Sequence, residues 1–99
     1  MSIDHKTLLT RDEIAHRLEA LPGWHHRGNA IEKHFDRGDF NGSLAFVNAL
    51  AAEANAQDHH PDITLSWNDV TVTLSSHDSG GLTERDFRLA AAIEALAGA

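Results

Sequence analysis

Cysteine is absent from this chain, which excludes disulfides, thiolate nucleophiles and cysteine-based zinc sites. Basic residues are scarce: eight Lys and Arg stand against fifteen Asp and Glu, for a net charge of −7. Nucleic-acid binding needs a basic stripe to neutralise phosphates, so that class is excluded. No apolar run approaches the ~20 residues of a membrane-spanning helix, and Met1–Thr10 lacks the apolar core of a signal peptide. A soluble, cytoplasmic protein is expected, with no nucleic-acid or membrane partner. Gly80-Gly81 carries neither a G-x-G-x-x-G nor a P-loop pattern around it, and the H-E-x-x-H zinc spacing is missing.

Apolar residues make up 41% of the 99 positions, ordinary for a globular chain and too high for a disordered one. One domain over residues 1–99 with a single core is expected. Thr10-Arg11-Asp12-Glu13 reads as a capping box, and Ile14, Leu18 and Leu21 follow at helical spacing until Pro22-Gly23 stops the helix. Trp24 to Arg27 and Ala30 to Phe35 flank Gly28-Asn29, a two-residue hairpin loop. A second helix runs from about Phe40 to Gln57, with Asp39 as N-cap and Leu44, Val47, Leu50, Ala51 and Ala54 on one face.

The period then changes to two. Ile63, Leu65 and Trp67 alternate with Thr64 and Ser66, and Val70, Val72 and Leu74 with Thr71 and Thr73. With Asn68-Asp69 as the loop, Trp67 opposes Val70 and all six apolar residues share one face. Thr83-Glu84-Arg85-Asp86 resembles another capping box, opening a third helix with Phe87, Ala90, Ala91, Ile93 and Leu96 on its apolar side. The order α-ββ-α-ββ-α predicts an α+β fold, a four-stranded antiparallel sheet with three helices packed on one face. The other face is expected to be polar or covered by a second subunit.

Chemistry concentrates in Asp58-His59-His60-Pro61-Asp62 and in Ser75-Ser76-His77-Asp78, on the two flanks of the second hairpin. Imidazole titrates nearest neutrality, so a histidine trio can hold a proton donor and an acceptor together at pH 7. Pro61 pushes His60 towards extended backbone, in which adjacent side chains diverge. Asp58, Asp62 or Asp78 is a candidate to orient an imidazole, and Gly80-Gly81 leaves room for a ligand near the backbone. Three histidines with carboxylates also suit zinc, the rival reading, although no recognised zinc spacing is present. His25-His26 reads as strand surface. Trp24 and Trp67 read as core, Ser75 and Ser76 as no evidence of a triad, and Arg85 and Asp86 as residues that cap and solvate the third helix.

Together, His59-His60-Pro61-Asp62, the Trp67 hairpin, Val72-Thr73-Leu74-Ser75-Ser76-His77-Asp78 and Gly80-Gly81-Leu82-Thr83-Glu84-Arg85-Asp86-Phe87 resemble the pterin-4a-carbinolamine dehydratase (4a-hydroxytetrahydrobiopterin dehydratase) family. Weaker echoes are Leu21-Pro22-Gly23-Trp24, Phe40 and Ala45-Phe46-Val47. Family members often carry an acidic residue where this chain has Asn55, with Glu53 two places earlier, so no carboxylate role is carried over to that position. The resemblance implies a hydro-lyase that needs no cofactor and no metal. It would convert 4a-hydroxytetrahydropterin to quinonoid dihydropterin and water in tetrahydropterin recycling, linked to a pterin-dependent aromatic amino acid hydroxylase. It implies His59 and His77 in proton transfer, His60 in orienting the pterin, and Asp58 with Ser75, Ser76, His77 and Asp78 lining the pocket. It also implies a homodimer or homotetramer. The alternative is a non-catalytic dimerisation or assembly partner on the same fold.

Overall fold

The computed structural model describes residues 6–98; the start of the Met1–Thr10 stretch and Ala99 lie outside the described residues. Seven elements follow the expected order: α1 (Arg11–Leu18), β1 (His25–Arg27), β2 (Ala30–Asp36), α2 (Phe40–Gln57), β3 (Asp62–Ser66), β4 (Asp69–Leu74) and α3 (Glu84–Ala97). The strands form one antiparallel sheet in the order β1-β2-β4-β3. Two-residue alternation divides its faces. Ile31, Phe35, Val70, Val72 and Leu74 are buried against Phe46, Leu50 and Ala54 of α2 and Phe87, Leu89, Ala90 and Ile93 of α3. The opposite face is polar: Thr71 Oγ1 lies 2.8 Å from His34 Nδ1, and Thr73 donates to Glu32 at 3.1 Å. No helix among the described residues is long and apolar enough to cross a membrane.

Both capping boxes form as the sequence suggests. Helix α1, however, ends at Leu18 rather than at Pro22. Three successive turns of the tighter kind, Glu19 to His16, Ala20 to Arg17 and Leu21 to Leu18, carry the chain onward. They keep Leu21 buried without extending the α-helix. The β1–β2 loop is Gly28-Asn29, with Arg27 opposite Ala30; Gly28 takes the positive φ of 60°.

Two packing expectations are corrected. Helix α2 has the expected limits but is rotated, burying Ser43, Phe46, Leu50 and Ala54 and leaving Leu44 and Ala51 exposed. Ser43 accounts for part of this, because its hydroxyl reaches the carbonyls of Asp39 at 3.1 Å and Trp67 at 2.6 Å. In the second hairpin the register slips by two residues. Leu65 opposes Val70 and Ile63 opposes Val72, and the turn is Trp67-Asn68. A two-residue slip preserves the faces but removes Trp67 from the core. The residue is 66% exposed and its backbone is left-handed, with φ 50°. The Ser43 bond to its carbonyl and the 2.7 Å bond from Arg37 N–H to Asn68 O hold the turn there.

Candidate active site

The chain leaves α2 through Asp58, left-handed at φ 51°, a conformation that glycine adopts without a steric penalty and an L-residue does not. The amides of Asp58 and His59 turn back onto Asn55 O and Ala54 O at 3.2 and 3.1 Å. That reversal sends the two imidazoles in different directions. His59 is buried, 8% exposed, with Nε2 2.7 Å from Asp86 Oδ1. His60 is exposed, with Nε2 2.9 Å from Asn55 Oδ1 one turn back on α2. Asp58 itself is exposed, and its carboxylate has no partner among the described residues.

Asp86 is the residue that sequence reasoning misplaced. It does cap α3, accepting from Thr83 N–H at 2.9 Å, but it is fully buried rather than solvated. Counting donors fixes the direction of the network. Ser76 donates its one hydroxyl hydrogen to Asp86 Oδ2 at 2.9 Å. The 2.8 Å Ser76–Thr83 contact is therefore a donation from Thr83. The Thr83 oxygen in turn accepts from Arg85 N–H at 3.3 Å. Against a carboxylate that already accepts from Thr83 and Ser76, His59 presents Nε2–H, and its Nδ1 has no partner among the described residues. The capping motif signalled Asp86 in the sequence; its reach to a histidine on another element did not show there.

The second flank is a short loop clamped by a bridge between Ser76 and Gly81. Ser76 N–H bonds Gly81 O at 2.9 Å, and Gly80 N–H bonds Ser76 O at 2.9 Å. Asp78 forms two hydrogen bonds with Arg85, at 2.7 and 3.2 Å. The Arg85 guanidinium holds the Asp78 carboxyl below its ordinary value of 3.8. His77, between these anchors, is exposed.

A cavity of about 410 Å³ opens at this end of the sheet, lined by Asn29, Ala30, Asp62, Thr73, Ser75, His77 and Gly80. That is the size of an ordinary small-molecule site. A Cβ built on Gly80 meets nothing within 4 Å, so this glycine leaves the rim open. Of the candidate site residues, Ser75 and His77 line the cavity, with Asp62. Asp58, His59, His60, Ser76 and Asp78 do not. The structure therefore gives the three histidines three environments: one locked to a buried carboxylate, one tied to an amide, one facing the cavity. The orienting carboxylate found is Asp86, which was not among the candidates Asp58, Asp62 and Asp78. No group of three metal-ligating side chains is gathered among the described residues.

The family described as Pterin 4 alpha carbinolamine dehydratase matches residues 7–96. Two relatives carry the name "Putative pterin-4-alpha-carbinolamine dehydratase". The one from Thermosynechococcus vestitus is 47% identical over 90% of this chain and 94% of its own length. The one from Acidobacterium capsulatum is 49% identical over 89% and 96%. A crystal structure described as a transcriptional coactivator/pterin dehydratase from Brucella melitensis superposes with a TM-score of 0.90 at 36% identity, covering 93% of this chain and 100% of that one. A pterin dehydratase-like protein described as a RuBisCO assembly factor in the alpha-carboxysome superposes with a TM-score of 0.63 at 30% identity, covering 77% of this chain and 88% of that one.

Proposed function

The chain belongs to the pterin 4 alpha carbinolamine dehydratase family, and from that premise we propose that it removes water from a 4a-hydroxytetrahydropterin. The C4a–O bond breaks as a proton reaches the departing hydroxyl, and a proton leaves N5, giving quinonoid dihydropterin and water. No hydride moves. General acid and base groups that work near their own pKa typically contribute ~10²–10⁴-fold.

The observation that carries this reading is His77 on the wall of a cavity of about 410 Å³ that the carboxylate-bearing Asp62 also lines. His77 transfers a proton to or from the bound ring. Asp62 accepts hydrogen bonds from the aminopyrimidinone edge of the pterin, and Ser75 borders the same space. His59 and His60 take their roles from the His59-His60-Pro61-Asp62 motif, His59 in proton transfer through Nδ1 and His60 in orienting the ring. Asp86 is a positioning residue, acting through His59. Asp58, Ser76 and Asp78 support the site through α2's end and the 75–80 loop. Self-association as a homodimer or homotetramer belongs to the same reading, supported by exposed Phe40 and Leu44 on α2. Titrating ¹⁵N-labelled protein with a 7,8-dihydropterin should shift the His77 ring and the Ser75 and Gly80 amides and leave His16 on α1 unmoved. Shifts elsewhere with none at His77 would place the site wrongly.

A second reading, a non-catalytic assembly partner, is favoured by the description of the RuBisCO assembly factor. A partner captured from the native host equally well by wild type and by a variant lacking His59, His60 and His77 would support it.

A further inference from the structure

Beside the first cavity lies a second, of about 210 Å³, which the dehydratase chemistry does not use. Its walls include Leu8, Ile14 and Leu82, with Arg11 and His26. Asn29 and Gly80 line both cavities, so the two adjoin across these residues. Gly80 has no side chain, and a Cβ there would point into open space. A ligand in the first cavity can therefore extend an arm into the second.

Arg11 makes this space chemically specific. Among the described residues the other lysines and arginines are engaged: Arg17 with Glu84, Arg27 with Glu32, Lys33 with Glu94, Arg85 and Lys6 with Asp78. Arg37 bonds Ala97 O, and Arg88 has a partner. Among the described residues Arg11 alone of these has no hydrogen bond, ion pair or ring contact, in a chain where acidic residues outnumber basic ones fifteen to eight. His26, on strand β1, likewise has no ring partner among the described residues. An apolar floor with an unpaired guanidinium and an imidazole suits an arm that is apolar along its length and anionic at its end. Guanidinium pairs carboxylate and phosphate through two parallel N–H bonds.

We propose that this second cavity is a subsite for the ring substituent of the substrate, and that Arg11 and His26 select arms ending in an oxyanion. The proposal rests on the pterin-binding reading of the first cavity. Carboxylate and phosphate share the chemistry, and ligands separate them: 6-methyl-7,8-dihydropterin with no arm, 7,8-dihydroneopterin with a neutral arm, its monophosphate, and dihydrofolate with a carboxylate-bearing arm. Calorimetric titration of the full chain should give at least one anionic-armed ligand a Kd about ten-fold below that of the 6-methyl ligand, from apolar contact and the ion pair together. In Arg11→Gln that ratio should shrink by about five-fold, the size of an exposed ion pair. Which ligand gains identifies phosphate or carboxylate. A ratio near one in wild type, or one unchanged in Arg11→Gln, overturns the subsite while leaving the ring site standing. Failure of all four to bind overturns the pterin-binding reading and the subsite together.

Discussion

Replacing Asp86 by asparagine preserves shape and changes one acceptor oxygen into a donor. In the native network Oδ2 accepts from Thr83 N–H and Ser76 O–H at 2.9 Å each, and Oδ1 faces His59 Nε2 at 2.7 Å. Asparagine keeps the first two through its carbonyl. Its amino group then faces Nε2, which must become the acceptor, so the imidazole proton moves to Nδ1. Hydrogen bonds to charged groups contribute ~1.5–3 kcal/mol and neutral ones ~0.5–1.5, so three buried bonds lose about 1 kcal/mol each. Relief from burying a charge offsets part of this, leaving a net loss of about 1–3 kcal/mol. That is survivable against a typical ~5–15 kcal/mol of total stability. Asp86→Ala strands three donors and should cost more, at ~1–3 kcal/mol per unsatisfied group. Urea unfolding reads the stability, and ¹⁵N spectra of the His59 ring read the tautomer. Turnover of Asp86→Asn should fall by at least about 10²-fold, because Nδ1 no longer accepts a proton. A variant with unchanged stability, an Nε2–H tautomer and native turnover would refute the positioning role.

Other expectations concern single residues. His77→Ala removes an exposed side chain, so stability should stay within ~0.5 kcal/mol while turnover drops ~10²–10⁴-fold; equal turnover in a folded variant would remove His77 from the chemistry. Asp58→Gly relieves the left-handed C-cap and should raise stability by ~0.5–1 kcal/mol, seen as a higher Tm; a lower Tm would show that the carboxylate stabilises the fold. The Asp78–Arg85 pair depresses the Asp78 pKa, so its contribution is complete above the ordinary value of 3.8 and is lost as pH falls through the lower folded value. Arg85→Gln should abolish that acid step in backbone exchange at the 75–80 loop; an unchanged step would assign it to another group.

The fold was legible where local chemistry and tertiary packing agree. Thr10 and Thr83 caps, the Asp39 N-cap and the period-two alternation of β4 are short-range signals, and all are realised. What was misread depends on contacts distant in sequence. Trp67 alternates correctly for a core position, yet the Ser43 and Arg37 bonds draw the turn onto it. Helix α2 is apolar on more than one face, so the alternation of Leu44, Val47 and Ala51 did not say which face meets the sheet. The site shows the same division. Histidine motifs are visible in any sequence, and the divergence expected of His59 and His60 is present, but it arises at the left-handed Asp58 that reverses the chain. Asp86 instead carried a helix-capping signature that disguised a buried partner for His59, and Arg11 looked like any first-turn residue until its lack of a partner was seen.

The most direct measurement is stopped-flow ultraviolet absorbance of 4a-hydroxytetrahydropterin decay, with chelator-treated wild type, with His77→Ala and without protein. The dehydratase account predicts acceleration that survives chelation and is lost in His77→Ala. Decay at the protein-free rate with folded wild type would contradict it, and the assembly-partner reading would then take its place.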